Sequence, residues 1–191
     1  MVDEFNADSQ DDILIEQGGA FAGEADGFGR LWTPHRMAYI EGERPTKDAG
    51  HGCPFCASPT KTDADGLIVH RGEHCFVVMN LFPYNPGHLL VCPYRHVASY
   101  IDLTDDETEE FTKLTKAGVR ALKAASNPGG FNLGMNQGDV AGAGVAAHLH
   151  QHIVPRWGGD MNFMPIIGRT KALPVLLEDS RQRIVANWPN D

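Results

Sequence analysis

No stretch of this chain approaches the roughly 18 consecutive apolar residues that a membrane-crossing helix needs. The opening Met1-Val2-Asp3-Glu4-Phe5 lacks a basic segment followed by an apolar run, so no secretory leader is expected. Basic residues are scarce: Lys and Arg number 16 against 25 Asp and Glu, giving a formal charge of −9. Binding a nucleic-acid backbone needs clustered Lys and Arg, which argues against RNA or DNA as the main partner. A small nucleotide is not excluded, because backbone N–H groups and a few histidines can hold its phosphates. Internal repeats and low-complexity tracts are missing. Cysteines number only 4. With a cytoplasmic location expected, they read as metal ligands or buried thiols rather than a disulfide framework.

What is present suits one domain. The 191 residues are 42% hydrophobic, ample for a core. Residues 1–30 are acidic and Gly-rich and are expected to form a flexible tail, with the domain spanning 31–191. Residues 41–65 are polar and read as loop. Strands are expected over 66–72 and 75–80, joined by a tight turn at Gly72 and Glu73, and over 88–92, closed by Pro93. Thr104-Asp105-Asp106-Glu107 is a capping box, after which Phe111, Leu114, Gly118, Leu122 and Ala125 recur at helical spacing until Asn127-Pro128. Further strands are expected over 131–136 and 148–155, and a last helix from about Pro174. Strands with one helix between them and one after them indicate an α+β fold.

His148-Leu149-His150-Gln151-His152 carries the chemistry. Successive strand side chains alternate between faces, so the three histidines share one face with neighbours about 7 Å apart. Packing rarely needs that. The run is either a metal site or a nucleophilic centre acting at phosphorus, where a neutral imidazole attacks and a second histidine bonds phosphoryl or leaving oxygens. The Gly/Ala loop 137–147 leads straight into the run and favours the phosphoryl reading, since small residues let backbone N–H groups approach a phosphate. His150, in the middle, is the expected nucleophile.

Cys53-Pro54-Phe55-Cys56 has the spacing that puts two sulfurs on one tetrahedral metal, zinc being favoured over redox chemistry. His51, His74, His88, His96 and one histidine of the run are candidates for the remaining ligands. Cys75 and Cys92 fall in apolar strands and read as core. Trp32 and Trp157 read as core or dimer contacts.

Taken together, the run His148–Val154, the strand Asn85-Pro86-Gly87-His88-Leu89-Leu90-Val91-Cys92-Pro93 and the segment Asn136-Gln137-Gly138 resemble the histidine-triad (HIT) family of nucleotide hydrolases and transferases, over about residues 50–160. Leu31-Trp32-Thr33-Pro34 and Pro155-Arg156-Trp157-Gly158-Gly159-Asp160 narrow the likeness to members that cleave diadenosine tetraphosphate with inorganic phosphate. The resemblance implies a five-stranded antiparallel sheet with two main helices, in a homodimer. It implies catalysis by His150 and His152, and a nucleotide held by Asn80, His88, Asn136, Gly142 and Gly144. It also implies a structural Zn2+ on Cys53, Cys56, His96 and His148, an adenine dinucleotide substrate, and phosphate as co-substrate. A hydrolase of nucleoside phosphoramidates or adenylyl sulfate and a non-catalytic nucleotide sensor are the alternatives. Ala143-Gly144-Val145-Ala146-Ala147 lacks the hydroxyl many members carry there, and Gln151 stands where they have an apolar residue.

Overall fold

The computed structural model describes residues 15–17, 29–31, 52–160 and 173–189. The chain divides into Met1–Pro45 and Thr46–Asp191. In the first unit β1 (Ile15–Gln17) and β2 (Gly29–Leu31) pair antiparallel, with Glu16 opposite Arg30. The rest of the acidic segment expected as a tail, and Trp32, lie outside the described residues.

The second unit is built on five antiparallel strands: β3 (Ile68–Arg71), β4 (Cys75–Met79), β5 (Leu89–Pro93), β6 (Gly130–Met135) and β7 (Gln151–Arg156), in the order β3-β4-β5-β7-β6. Helix α1 (Pro54–Ala57) lies in the cysteine segment, α2 (Asp105–Ser126) between β5 and β6, and α3 (Leu177–Val185) after β7. This is the expected α+β architecture. Among the described residues no helix is long and apolar enough to cross a membrane.

Strands β4 and β5 are buried along their whole length, so both faces of the sheet are covered. Val77, Met79, Leu89, Val91 and Ile153 point into one core, shared with Phe111, Leu114 and Leu122 of α2 and Ile184 of α3. Burying each such side chain stabilises the fold by about 1.5–3 kcal/mol. The alternate residues Phe76, Val78, Leu90 and Cys92 form a second cluster on the other face, with Phe55 and Tyr94 against it. Leu90 lies opposite His152 across the β5–β7 ladder. The second face is therefore the one that carries the histidines.

Helix α2 is fixed at both ends. Thr104 Oγ1 accepts from Glu107 N–H at 3.2 Å, and Glu107 Oε2 accepts from Thr104 N–H at 2.8 Å. Arg95 donates to both oxygens of Glu107 and holds its pKa down at about 2. Asn127 ends the helix in the left-handed region, at φ 45°. Gly118 has a direct bearing on the site: a Cβ there would stand 2.9 Å from Ile153 Cδ1. A glycine in mid-helix costs about 0.5–1 kcal/mol, and here it lets α2 press closely on β7.

Two element starts fall about three residues later than expected. β7 begins at Gln151 rather than at 148. Continuing the β5–β7 register would set Leu149 opposite Pro93, which has no N–H to extend the ladder. Leu149 N–H instead donates to Val97 O at 2.6 Å. Helix α3 begins at Leu177, not near Pro174, and Leu176 is exposed. The cysteine segment, expected as loop, carries the one-turn α1 with Pro54 in its first turn.

Candidate active site and metal centre

Three segments bring Cys53, Cys56, His96 and His148 together, with their ligand atoms all within 4.8 Å of one another. Cys53 Sγ lies 3.3 Å from His148 Nδ1, Cys56 Sγ lies 3.2 Å from His96 Nδ1 and 3.5 Å from His148 Nδ1, and the two Nδ1 atoms are 3.2 Å apart. With Zn–S of about 2.3 Å and Zn–N of about 2.0–2.1 Å, a tetrahedron has N···N edges of about 3.3 Å and S···N edges of about 3.6 Å. These four separations are close to such edges, and the cluster could hold a metal ion. His148 Nε2–H donates to Pro93 O at 2.9 Å, which leaves the Nδ1 lone pair facing the cluster. His51 lies outside the described residues, and His74 and His88 are not in the cluster.

The other two histidines of the run are set by their own bonds. His150 is 5% exposed, and its Nδ1–H donates to the His148 carbonyl at 2.8 Å. Its Nε2 therefore carries the lone pair. Burial lowers its pKa, against the opposing pull of that carbonyl. His88 Nδ1 receives Tyr84 N–H at 3.0 Å and the Asn80 amide at 3.3 Å, so His88 carries its proton on Nε2. That proton lies between His88 Nε2 and His152 Nδ1, 2.9 Å apart. His152 is left with its own proton on Nε2 and is a donor. Burial, and then His150, push the His152 pKa down to about 4. One neutral imidazole thus presents a lone pair while its neighbour presents an N–H.

Asn80, half-buried at the end of β4, also accepts Phe82 N–H at 3.0 Å. Asn136 follows β6 directly. Gly142 ends a one-turn helix over Asp139–Ala141 at φ 80°, and its N–H is bonded to the Asp139 carbonyl. Gly144 is exposed further along the same loop.

Two aromatic residues escaped the sequence reading. Phe55, between the metal-side cysteines, has its ring centroid 4.8 Å from that of His150 and 5.5 Å from that of His148. Tyr84 is stacked on His152 at 5.5 Å and 15°. Phe55 stood inside a motif read only for its sulfurs, and Tyr84 in the connection between two expected strands. His70, within the strand expected over 66–72, is half-buried in β3 and stacks on Trp188 at 4.8 Å.

Residues 61–159 match the HIT domain family. The chain is 45% identical to the AP-4-A phosphorylase of Mycobacterium tuberculosis (strain H37Rv) over 195 residues, 98% of each chain. It is 39% identical over 85 residues to the Arabidopsis thaliana bifunctional bis(5′-adenosyl)-triphosphatase/adenylylsulfatase FHIT, covering 44% of this chain and 47% of that one. In structure it is similar to the histidine triad nucleotide-binding protein ST2152 from Sulfolobus tokodaii (TM-score 0.58, 28% identity, 71% of this chain and 91% of that one). The family match across the histidine face, together with identity along nearly the whole chain, places this protein in the HIT domain family.

Proposed function

We propose that this protein is a nucleotidyl-transferring enzyme that cleaves diadenosine tetraphosphate with inorganic phosphate, giving ATP and ADP. The observation that carries the chemistry is the bond from His150 Nδ1–H to the His148 carbonyl, which leaves Nε2 of a buried neutral imidazole as the nucleophile. The near-full-length likeness to the M. tuberculosis AP-4-A phosphorylase supports the substrate.

In the first step His150 Nε2 attacks an α-phosphorus. The P–N bond forms, the P–O bond to the bridging oxygen breaks, and ATP leaves. His152 Nε2–H donates to the phosphoryl or bridging oxygen, held in that tautomer by His88. In the second step a phosphate oxygen attacks the nucleotidyl-His150, ADP forms, and the imidazole is restored. Asn80 lies at the ribose. Asn136 and the loop near Gly142 and Gly144 hold phosphate oxygens, with Gly142 shaping the turn. Cys53, Cys56, His96 and His148 hold a zinc ion that closes the tetrahedron and so has a structural role. The acidic chain binds no nucleic acid and works in the cytoplasm. Among the described residues β6 pairs on one side, and its other edge suits a homodimer.

The likeness to a triphosphatase and adenylylsulfatase favours a second reading, with water as acceptor. Product analysis with and without inorganic phosphate separates the two. ATP plus ADP formed only with phosphate is the expected result. AMP formed regardless of phosphate would establish a hydrolase, and no product from diadenosine tetraphosphate would overturn both.

The pH profile gives a second check. Because the His150 pKa is lowered, its neutral form persists below the ordinary histidine value of 6.5. The acid limb of kcat/KM for the first step is expected below pH 6.5. A limb at or above 6.5 would contradict a buried neutral nucleophile.

A further inference from the structure

The segment Asn80–His88 joins β4 to β5 and presents an aromatic surface beside the catalytic pair. Phe82 is 79% exposed, Leu81 59% and Tyr84 52%. Large apolar groups left in water side by side mark contact sites when the backbone beneath them is fixed. Here it is fixed. Asn80 N–H donates to His88 O, His88 N–H to Asn85 O, Phe82 N–H to Asn80 Oδ1, and Asn85 Nδ2–H to Pro155 O at the far end of β7. Pro83 and Pro86 stiffen the remainder.

The segment contains no Lys, Arg, Asp or Glu. It therefore offers flat apolar surface and no charge for phosphates. It is continuous with the catalytic machinery through Tyr84, whose ring lies parallel to His152 at 15°. His152 faces the leaving group, so whatever extends from that group runs past this loop. Phe82 and Tyr84 are two residues apart, at most about 7 Å of chain.

We propose that Phe82, two residues from Tyr84 in the same loop, forms a stacking subsite for the distal adenine of a dinucleoside polyphosphate, the base on the leaving nucleotide. The proposal rests on the dinucleotide reading above and adds to it the feature that selects two bases over one. The occupant is a neutral purine, matched to an uncharged aromatic surface next to the group that assists departure.

The test compares diadenosine tetraphosphate with adenosine 5′-tetraphosphate, which carries the same phosphates and no distal base. Base–aromatic stacking is expected to favour the dinucleotide in kcat/KM, and Phe82→Ala to lower that preference by about tenfold. Phe82→Trp should keep it. The same pair of ligands is titrated calorimetrically into His150→Asn, with and without Phe82→Ala, so that binding is read apart from turnover. If the wild type turns over neither compound yet His150→Asn binds the dinucleotide more tightly through Phe82, the catalytic reading falls and the subsite stands. An unchanged preference in Phe82→Ala, by rate and by binding, overturns the subsite. So does a change in sedimentation with the preference intact, which would make the loop a protein contact.

Discussion

Replacing His150 by asparagine is expected to lower turnover of diadenosine tetraphosphate by at least about 10⁴-fold, since the nucleophile and the intermediate it forms are lost together. Asparagine retains an amide donor for the His148 carbonyl and is close to isosteric, so the strand should keep its shape. AMP should bind within a few-fold of wild type, because uniform binding does not depend on the Nε2 lone pair. Steady-state rates and calorimetric titration on the same preparation check both halves. Appreciable turnover in this variant would sink the nucleotidyl-histidine mechanism, and loss of both binding and folding would indicate a structural histidine. The imidazole is buried on the face that meets Phe55, and its Nδ1 bonds the backbone two residues earlier. Packing alone does not require a nitrogen there.

Cys53→Ser is expected to lose the zinc proposed for this cluster and to lower the melting temperature by about 10 °C, taking a ligand loss of several kcal/mol and about 2–4 °C per kcal/mol for a chain of this size. Serine cannot replace a thiolate on a soft tetrahedral ion. The effect should be large because Cys53 is buried and its partner His148 lies 95 residues away, so the cluster ties the α1 segment to the entry of the catalytic strand. Metal analysis beside a thermal melt reads both. Retained zinc would refute the ligand set, and zinc loss without destabilisation would refute a structural role. A metal held by all three histidines of the run is disfavoured already, because His150 and His152 are not in the cluster and their ring nitrogens are directed by the His148 carbonyl and by His88.

The sequence pattern located the sheet well. Five strands and the long helix lie where alternation, the Thr104–Glu107 box and Asn127 put them, within a few residues. The errors have separate causes. Pro93 ends the β5–β7 pairing from across the sheet, and the lone segment 148–155 carries no mark of its partner's proline. Helix α1 has 4 residues, too few to show a helical period. The site was legible where chemistry is written in spacing, as in the cysteine pair and the alternating histidines. Phe55 and Tyr84 were not legible, because an aromatic residue in a loop shows its partner only once distant segments meet. The link from His88 to His152 was equally hidden, since it joins residues 64 apart.

β7 is flanked by β5 on one side and β6 on the other, so both its edges are bonded. A strand in that position is not released by fraying, and its amides exchange with solvent only when the sheet itself comes apart. His152 thus lies within a strand bonded on both sides, and His150 sits directly before it. Any motion that admits a nucleotide and releases products falls to connections other than the fixed Asn80–His88 segment, chiefly along 137–147. Turnover can then be tuned by substitutions in those connections while the persistence of the catalytic geometry stays tied to global stability.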